Sequence, residues 1–243
     1  MRPHPILRRY HRDEMERVHG LRRWFDENAG SYDRVAQALS LGSGNWYRSW
    51  VVARLGLPAN ARVLDVACGT GVLAWAAQQR LGPGAEVFGL DPSVGMLQEA
   101  KKRGVRALVV GTAESLPFAS ATFDALFVGY ALRHFSDLEL VFREFRRVLR
   151  EGGKLLMLEI TPPNSALGRR LLKLYLGSLV PAFARWYGRS ASELFRYYWD
   201  TIEQCVSPET ILQVLLQSGF ATATGRTELG IFREYVAHTT RPG

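Results

Sequence analysis

Between residues 62 and 160, short apolar runs alternate with stretches of helical periodicity, and each run ends at a turn. The runs are 62–67 (RVLDVA), 86–90 (EVFGL), 106–110 (RALVV), 123–130 and 154–160 (KLLMLEI). Apolar runs of this length read as strands buried on both faces, and the helical stretches carry the chain from one parallel strand to the next. The pattern predicts an α/β fold on a doubly wound, mostly parallel sheet. Two later runs, 220–224 and 231–237, bring the expected sheet to seven strands, with these last two at its edge.

Punctuation marks the helices. Ser136-Asp-Leu-Glu139 has the spacing of a capping box, an apolar stripe of Val141, Phe145, Val148 and Leu149 follows, and Gly152-Gly153 reads as the stop. Residues 93–103 read as helix, and so do 207–217, opened by Ser207-Pro208 and closed by Gly219. The flanks lack strand signals. Residues 1–58 look helical with a loop around Leu41-Gly-Ser-Gly44, and residues 165–200 look helical with breaks at Pro181 and Gly188. Four units are expected: a helical N-terminal arm (1–58), a core (59–160), a helical lid insertion (161–206) and a terminal helix with the final strands (207–243).

Hydrophobic residues make up 47% of the 243 and charged residues 22%, which excludes a disordered chain. Cys68 and Cys205 are too few for a disulfide framework, and a reducing compartment is expected. No run approaches the ~20 apolar residues of a bilayer span. Nothing reads as a secretory signal, and Asp13, Glu14 and Glu16 argue against a transit peptide. A cytoplasmic protein is expected, with peripheral contact at the inner face of the membrane left open.

Charge is unevenly placed. Of the net +8, residues 1–23 carry +4 and residues 165–198 carry +5, leaving −1 for the rest. Trp24, Trp46, Trp50, Trp186 and Trp199 all fall outside residues 60–160. Basic residues interleaved with aromatics suit an anionic membrane surface, a nucleic-acid backbone or a solvated helical face, and composition leaves all three open. A homodimer is left open too.

The chemistry concentrates at the ends of the expected strands. Gly69-Thr-Gly71 lies between a strand and a helix, where glycine lets a ligand approach the backbone and unpaired amides face it. With Val72, Leu73 and Ala74 the run also fits the dinucleotide fingerprint, so an NAD-dependent oxidoreductase is one alternative. Asp65, just before the turn, opposes a pyrophosphate and suits a ligand bearing an ammonium or sulfonium charge. Asp91 ends the second strand, where a carboxylate accepts ribose hydroxyls. Beyond the third strand, Ala113 and Glu114 in GTAESLPF are placed to meet an adenine edge. His4, His11, His19 and His238 lack metal-ligand spacing, Cys68 reads as packing, and no metal site is expected.

VLDVACGTG, LDPSVGML, GTAESLPF and EGGKLLMLE together resemble the class I S-adenosylmethionine-dependent methyltransferases over residues 60–160. The resemblance implies a Rossmann-like fold and S-adenosylmethionine as cofactor. It also implies cofactor positions at Asp65, Gly69, Thr70, Gly71, Asp91, Thr112, Ala113 and Gly129, with Glu114 beside them. A narrower likeness spans nearly the whole chain. WFDENAGSYD (24–33), the LSLG run before Trp46, Ala131-Leu-Arg-His134 and residues 197–202 resemble the ubiquinone/menaquinone biosynthesis C-methyltransferases. That family implies a prenylated quinol as acceptor. The family's Gly-Leu-Arg-Asn turn is Ala131-Leu132-Arg133-His134 here, and its lid Tyr-Leu pair is Tyr198-Trp199; these departures lie on the acceptor side.

Methylation of a quinol carbon requires electron density there, supplied by removing or polarising an adjacent phenol proton. Arg133 is expected to hold a phenolate or orient a water, His134 to take a proton, and Tyr32 to hydrogen-bond the quinol oxygen. An isoprenoid tail needs an apolar groove, for which Leu171, Leu172, Leu174, Tyr175, Leu176, Leu179, Val180, Phe183 and Trp186 are candidates. Arg169, Arg170, Lys173, Arg185 and Arg189 would then face headgroups. Three alternatives remain: a soluble small-molecule acceptor, which His134 in place of Asn favours, the oxidoreductase, and a basic nucleic-acid-binding module. No nucleic-acid partner is expected under the leading reading.

Overall fold

The computed structural model describes residues 1–40 and 43–240. Leu41 and Gly42, at the start of the expected loop, lie outside the described residues. The seven strands are β1 (Arg62–Val66), β2 (Glu86–Asp91), β3 (Ala107–Val110), β4 (Phe123–Gly129), β5 (Leu149–Ile160), β6 (Thr222–Glu228) and β7 (Phe232–His238). They form one sheet in the order β3-β2-β1-β4-β5-β7-β6. The first five are mutually parallel, and β7 runs antiparallel to both β5 and β6. The strand order reverses between β1 and β4, and ligands of such sheets bind beyond the carboxyl ends of the strands at that point.

Two-residue periodicity divides the core between the faces of the sheet. Leu64, Val66, Leu126, Val128, Leu155 and Met157 face α5 (Leu138–Val148) and α9 (Pro208–Gln217). Val63, Ala125, Phe127, Leu156 and Leu158 face α2 (Ser43–Arg54), α3 (Val72–Leu81) and α4 (Val94–Arg103). Each buried leucine or phenylalanine contributes roughly 1.5–3 kcal/mol, so both faces hold the site's strand ends firmly.

Side-chain caps set the helix starts. Ser93 accepts from the Met96 amide to open α4, and Ser207 accepts from the Thr210 amide to open α9, with Pro208 in its first turn. The start of α5 differs from the expected capping box. Asp137 is the cap, accepting from the Leu140 amide, while Ser136 donates both its amide and its hydroxyl to Glu114. Glu139 pairs instead with the Met1 amino group and Arg143. The helix also stops before Gly152-Gly153, because Leu149 already pairs with Phe123 and the register shifts immediately after.

The N-terminal segment is less helical than expected. Residues 1–13 are irregular but fastened to the core: Met1 O accepts from the Leu138 amide, Pro3 O from the Val206 amide, and Leu7 is buried. Helix α1 (Glu14–Ser40) then crosses the carboxyl edge of the sheet. After β5 come α6 (Ala166–Leu174), a π-helical turn (Tyr175–Leu179), α7 (Val180–Ala184) and α8 (Arg189–Glu203). Pro181 sits in the first turn of α7 and does not break a helix, since the wider turn ahead of it accommodates the missing N–H. Gly188, at φ +130°, makes the break before α8.

Candidate active site

The glycine turn between β1 and α3 is left-handed at alternate residues: Ala67 (φ +52°), Gly69 (φ +54°) and Gly71 (φ +74°). The two glycines serve different ends. A Cβ on Gly71 would lie 2.7 Å from Val105 Cγ2 and 2.9 Å from Ala100 Cβ, so this glycine permits close packing on α4. A Cβ on Gly69 would meet nothing within 4 Å, so the space before its backbone is open.

Asp91 ties the turn to the next helix. Its Oδ2 accepts from the Gly69 amide and its Oδ1 from the Ser93 amide, both at 2.8 Å. Burial pushes its carboxyl up to about 6, against those hydrogen bonds. Each oxygen retains a lone pair for a ribose hydroxyl. Asp65 lies deeper. Its Oδ2 accepts from the Ala74 amide at 2.9 Å, while its Oδ1 is buried without a partner. Burial, with Asp91 adding to it, pushes Asp65 up to about 8, and only the Ala74 amide and the charge of Arg48 pull the other way. An orphaned carboxyl oxygen behind an open glycine backbone fits a positively charged ligand with a diol.

The other expected cofactor residues are placed unequally. Thr70 is buried and donates to Asp33 Oδ1 at 2.6 Å. Gly129 ends β4, with Leu73 3.4 Å from where its Cβ would be. Thr112 is exposed in the loop after β3, and Ala113 packs into the core. Glu114, expected at the adenine edge, accepts the Ser136 amide and hydroxyl on its Oε1 at the start of α5.

Helix α1 closes over this edge. Asp26 accepts from Ser93 Oγ at 2.6 Å and from the Gly95 amide at 2.9 Å. Two helical turns on, Asp33 receives Thr70 and pairs with Arg103, which also donates to Thr70 O. A Cβ on Gly95 would come within 3.0 Å of Asp26 O, so that glycine lets α1 approach.

On the acceptor side, Arg133 is fully enclosed. Its Nε donates to Glu159 at 2.9 Å, Nη1 to Thr201 Oγ1 and Tyr198 O, and Nη2 to Tyr130 O. Its guanidinium carbon lies 4.1 Å from the centroid of the Tyr198 ring. Burial opposes its charge, but Glu159 and Tyr198 hold its pKa above the ordinary value. These contacts use four of the five guanidinium N–H donors and leave the group joining β4, β5 and α8.

His134 stacks on Tyr197 (6.0 Å, 19°) and meets Phe25 edge-on, and its Nδ1 is buried without a partner. Burial, then the charges of Arg133 and Arg17, hold its pKa well below the ordinary range. Tyr32 stacks on Phe195 (5.9 Å, 18°), and burial raises its phenol. The expected tail-lining residues divide by face. Leu172, Leu176 and Val180 point inward with Val35, Trp199 and Ile202, whereas Leu171, Leu174, Leu179 and Trp186 are exposed.

Several residues here escape a reading of the sequence. Asp33 is visible only as the second half of a Tyr-Asp pair, and Glu159 only as the one acid in the apolar run 154–160. Arg48, on α2, has no motif; its guanidinium carbon lies 5.0 Å from the centroid of the Tyr130 ring.

Residues 12–232 match the ubiE/COQ5 methyltransferase family. The demethylmenaquinone methyltransferase of Thermotoga maritima is 36% identical over 200 residues, 82% of this chain and 86% of that protein. The corresponding enzyme of Lactiplantibacillus plantarum is 32% identical over 84% of this chain and 88% of its own. The 2-phytyl-1,4-naphtoquinone methyltransferase of Thermosynechococcus vestitus is 32% identical over 81% and 88%. Among solved structures, a SAM-dependent methyltransferase from Thermotoga maritima superposes with a TM-score of 0.64 at 20% identity, over 90% of this chain and 99% of that one. A Haemonchus contortus phosphoethanolamine N-methyltransferase bound to S-adenosyl-L-methionine gives 0.58 at 18% identity, over 81% and 53%. These two likenesses concern the fold, a Rossmann-like sheet. The chain belongs to the ubiE/COQ5 methyltransferase family, and its cofactor is S-adenosylmethionine.

Proposed function

We propose that the protein methylates a ring carbon of a prenylated quinol, a demethylmenaquinol or 2-polyprenyl-benzoquinol, in respiratory quinone biosynthesis. The observation that carries this reading is the similarity, over about four-fifths of the chain, to methyltransferases named for naphthoquinone substrates. The aromatic wall of Tyr32, Phe195, Tyr198 and His134 supports it, since flat rings receive a quinol face.

When bound, S-adenosylmethionine supplies an electrophilic methyl group. Asp91 would hold its ribose hydroxyls, Asp65 would face its positive end, and Gly69, Thr70, Gly71 and Gly129 would shape the backbone around it. Thr112 and Ala113 would border the adenine. Tyr32 hydrogen-bonds the quinol oxygen. His134, kept neutral by its surroundings, accepts and relays the phenol proton and does not store charge. Arg133 positions the chamber wall by fixing Tyr198 and Tyr130 to Glu159.

Peripheral membrane contact, on the cytoplasmic side, belongs to the same reading. No described helix is long and apolar enough to cross a membrane. Trp24 and Trp199 are core residues, and most N-terminal arginines pair with nearby acids, so the contact surface is α6 and the segment from it to Trp186. Leu167, Leu171 and Leu174 lie on one helical face, 55–68% exposed, and Trp186 is 83% exposed. Beside them a cavity of about 400 Å³ is lined by Arg169 and Arg170 and by Lys173, which pairs with Glu203 at its wall. Leucines beside guanidinium groups suit an anionic bilayer.

Incubating the purified protein with S-adenosylmethionine and a panel of demethylated quinols under reducing conditions, then reading product masses, tests the acceptor. A gain of one methyl on a quinol is expected. Methylation confined to soluble acceptors, or none, overturns the reading.

A further inference from the structure

A phenolate forming in this site needs a positive charge beside it, and the arginine expected there, Arg133, is buried with four of its five N–H donors already engaged. Arg48 is not. Its helix is anchored by Val51 and Val52, buried against α3. Its own side chain is half-buried and forms no ion pair among the described residues, yet it reaches the ring of Tyr130 at 5.0 Å.

Tyr130 is unusual in its backbone. It is left-handed at φ +62°, directly after β4, with its amide donating to Leu158 O at 2.7 Å. That conformation is strained for a residue with a Cβ and persists where the surroundings fix it, commonly at functional sites. The strain sets the ring at the carboxyl edge of the sheet, facing Arg48. The charge of Arg48 also favours the ionised forms of Tyr32, Tyr198 and Asp65. It therefore stands in the space between α1, α8 and the end of β1, where cofactor and acceptor sides meet.

We propose that Arg48 is a catalytic residue that binds the acceptor's oxygen as it becomes a phenolate, Arg133 being the positioning residue behind it. The step is an ionisation: the phenol O–H bond breaks, its electron pair stays on oxygen beside Arg48, and the proton passes through His134 to solvent. A guanidinium suits the role because it remains charged at every working pH and offers paired donors to one oxygen. This assignment rests on the quinol reading.

The test uses 2-prenyl-1-naphthol as a phenolic probe, bound to the full chain without cofactor and titrated by its naphtholate absorbance. In the wild type, the bound naphthol ionises about one pH unit or more below the free compound. Arg48→Gln removes most of that displacement, and Arg48→Lys keeps part of it. In turnover with demethylmenaquinol, Arg48→Gln lowers kcat about 100-fold or more, while the KM for S-adenosylmethionine stays within about twofold. Wild-type kcat in Arg48→Gln, with an unmoved titration, overturns the assignment and leaves the acceptor reading standing. Should Arg48→Gln not fold, as its thermal melt would reveal, the wild-type titration decides alone: a bound naphthol that ionises like the free one overturns the assignment. A wild type that methylates no quinol and binds no naphthol overturns both.

Discussion

Asp33 Oδ1 accepts a 2.6 Å hydrogen bond from Thr70 Oγ1, and this contact fastens the N-terminal helix to the glycine turn across the mouth of the candidate cofactor site. The carboxylate also holds Arg103, but that pair is partly solvated, and such pairs contribute about 1 kcal/mol or less. The hydroxyl bond to a charged acceptor counts for more, about 1.5–3 kcal/mol. Asp33→Ala is therefore expected to loosen the second half of α1 and weaken cofactor affinity. Hydrogen exchange of α1 amides with calorimetry of cofactor binding checks this; wild-type protection in the variant would contradict it.

Arg133 and Glu159 form a buried pair whose halves are 1% and 5% exposed. Removing one half leaves an uncompensated charge, which costs about 3–5 kcal/mol. Urea denaturation of Arg133→Met should register a loss of that order. The double variant Arg133→Met, Glu159→Leu should recover most of it, because the second change removes the stranded carboxylate. A double variant no more stable than the single one would mean that Thr201 and the two carbonyls, not Glu159, dominate.

The turn glycines should respond differently to the same methyl group. Gly71→Ala meets Val105 and Ala100 and is left-handed besides, so a loss of more than about 2 kcal/mol in stability is expected. Gly69→Ala has room and bears only the backbone strain of about 1–2 kcal/mol. Its main effect should be on cofactor affinity, since its Cβ enters the open space. Conversely, Ala67→Gly should raise the melting temperature, relieving a left-handed alanine. Thermal melts with cofactor titrations separate the three.

Two sets of buried groups give stability opposite slopes with pH. His4, His11 and His134 all titrate below the ordinary histidine range because of burial, so their contribution is present above about 6.5 and is lost as pH falls below it. Asp65 and Asp91 are raised to about 8 and about 6, so theirs is present below the ordinary carboxylate range and is lost as pH rises through those values. Asp65→Asn should therefore raise the melting temperature more at pH 8 than at pH 4, and His11→Phe should blunt the acid limb. A pH-independent difference between Asp65→Asn and wild type would show that the carboxyl ionises freely.

Sedimentation with vesicles tests the α6 surface. Binding to vesicles rich in phosphatidylglycerol should exceed binding to phosphatidylcholine and fall with salt. Leu171→Glu with Leu174→Glu should abolish it while sparing turnover of a short-tailed quinol. Self-association of the wild type that this pair of substitutions disperses would assign the face to a second copy instead.

How far the sequence alone reveals this site depends on the range of each interaction. Strands 62–66 and 86–91 can be placed because burial on both faces is written into consecutive residues. Asp65, Asp91 and the glycines can be located because they lie within a few residues of those strands. Ser136 has the spacing of a cap but does not act as one, because Glu114, twenty-two residues away, takes its hydrogen bonds. Arg133 looks free in the sequence because its partners, Glu159 and Thr201, are 26 and 68 residues distant and supplied by other elements. Arg48 carries no local signal, since a lone arginine among aromatics acquires meaning only when β4 delivers Tyr130 to it.

The position of β7 bears on how the chain is made. It is synthesised after the other six strands of this sheet, yet it lies inside it, between β5 and β6. Until residues 232–238 leave the ribosome, β5 presents an apolar edge with unpaired amides and carbonyls, the kind of edge that recruits foreign strands. Sheet completion is thus a late event, and nascent chains stalled before that point would be clients for chaperones.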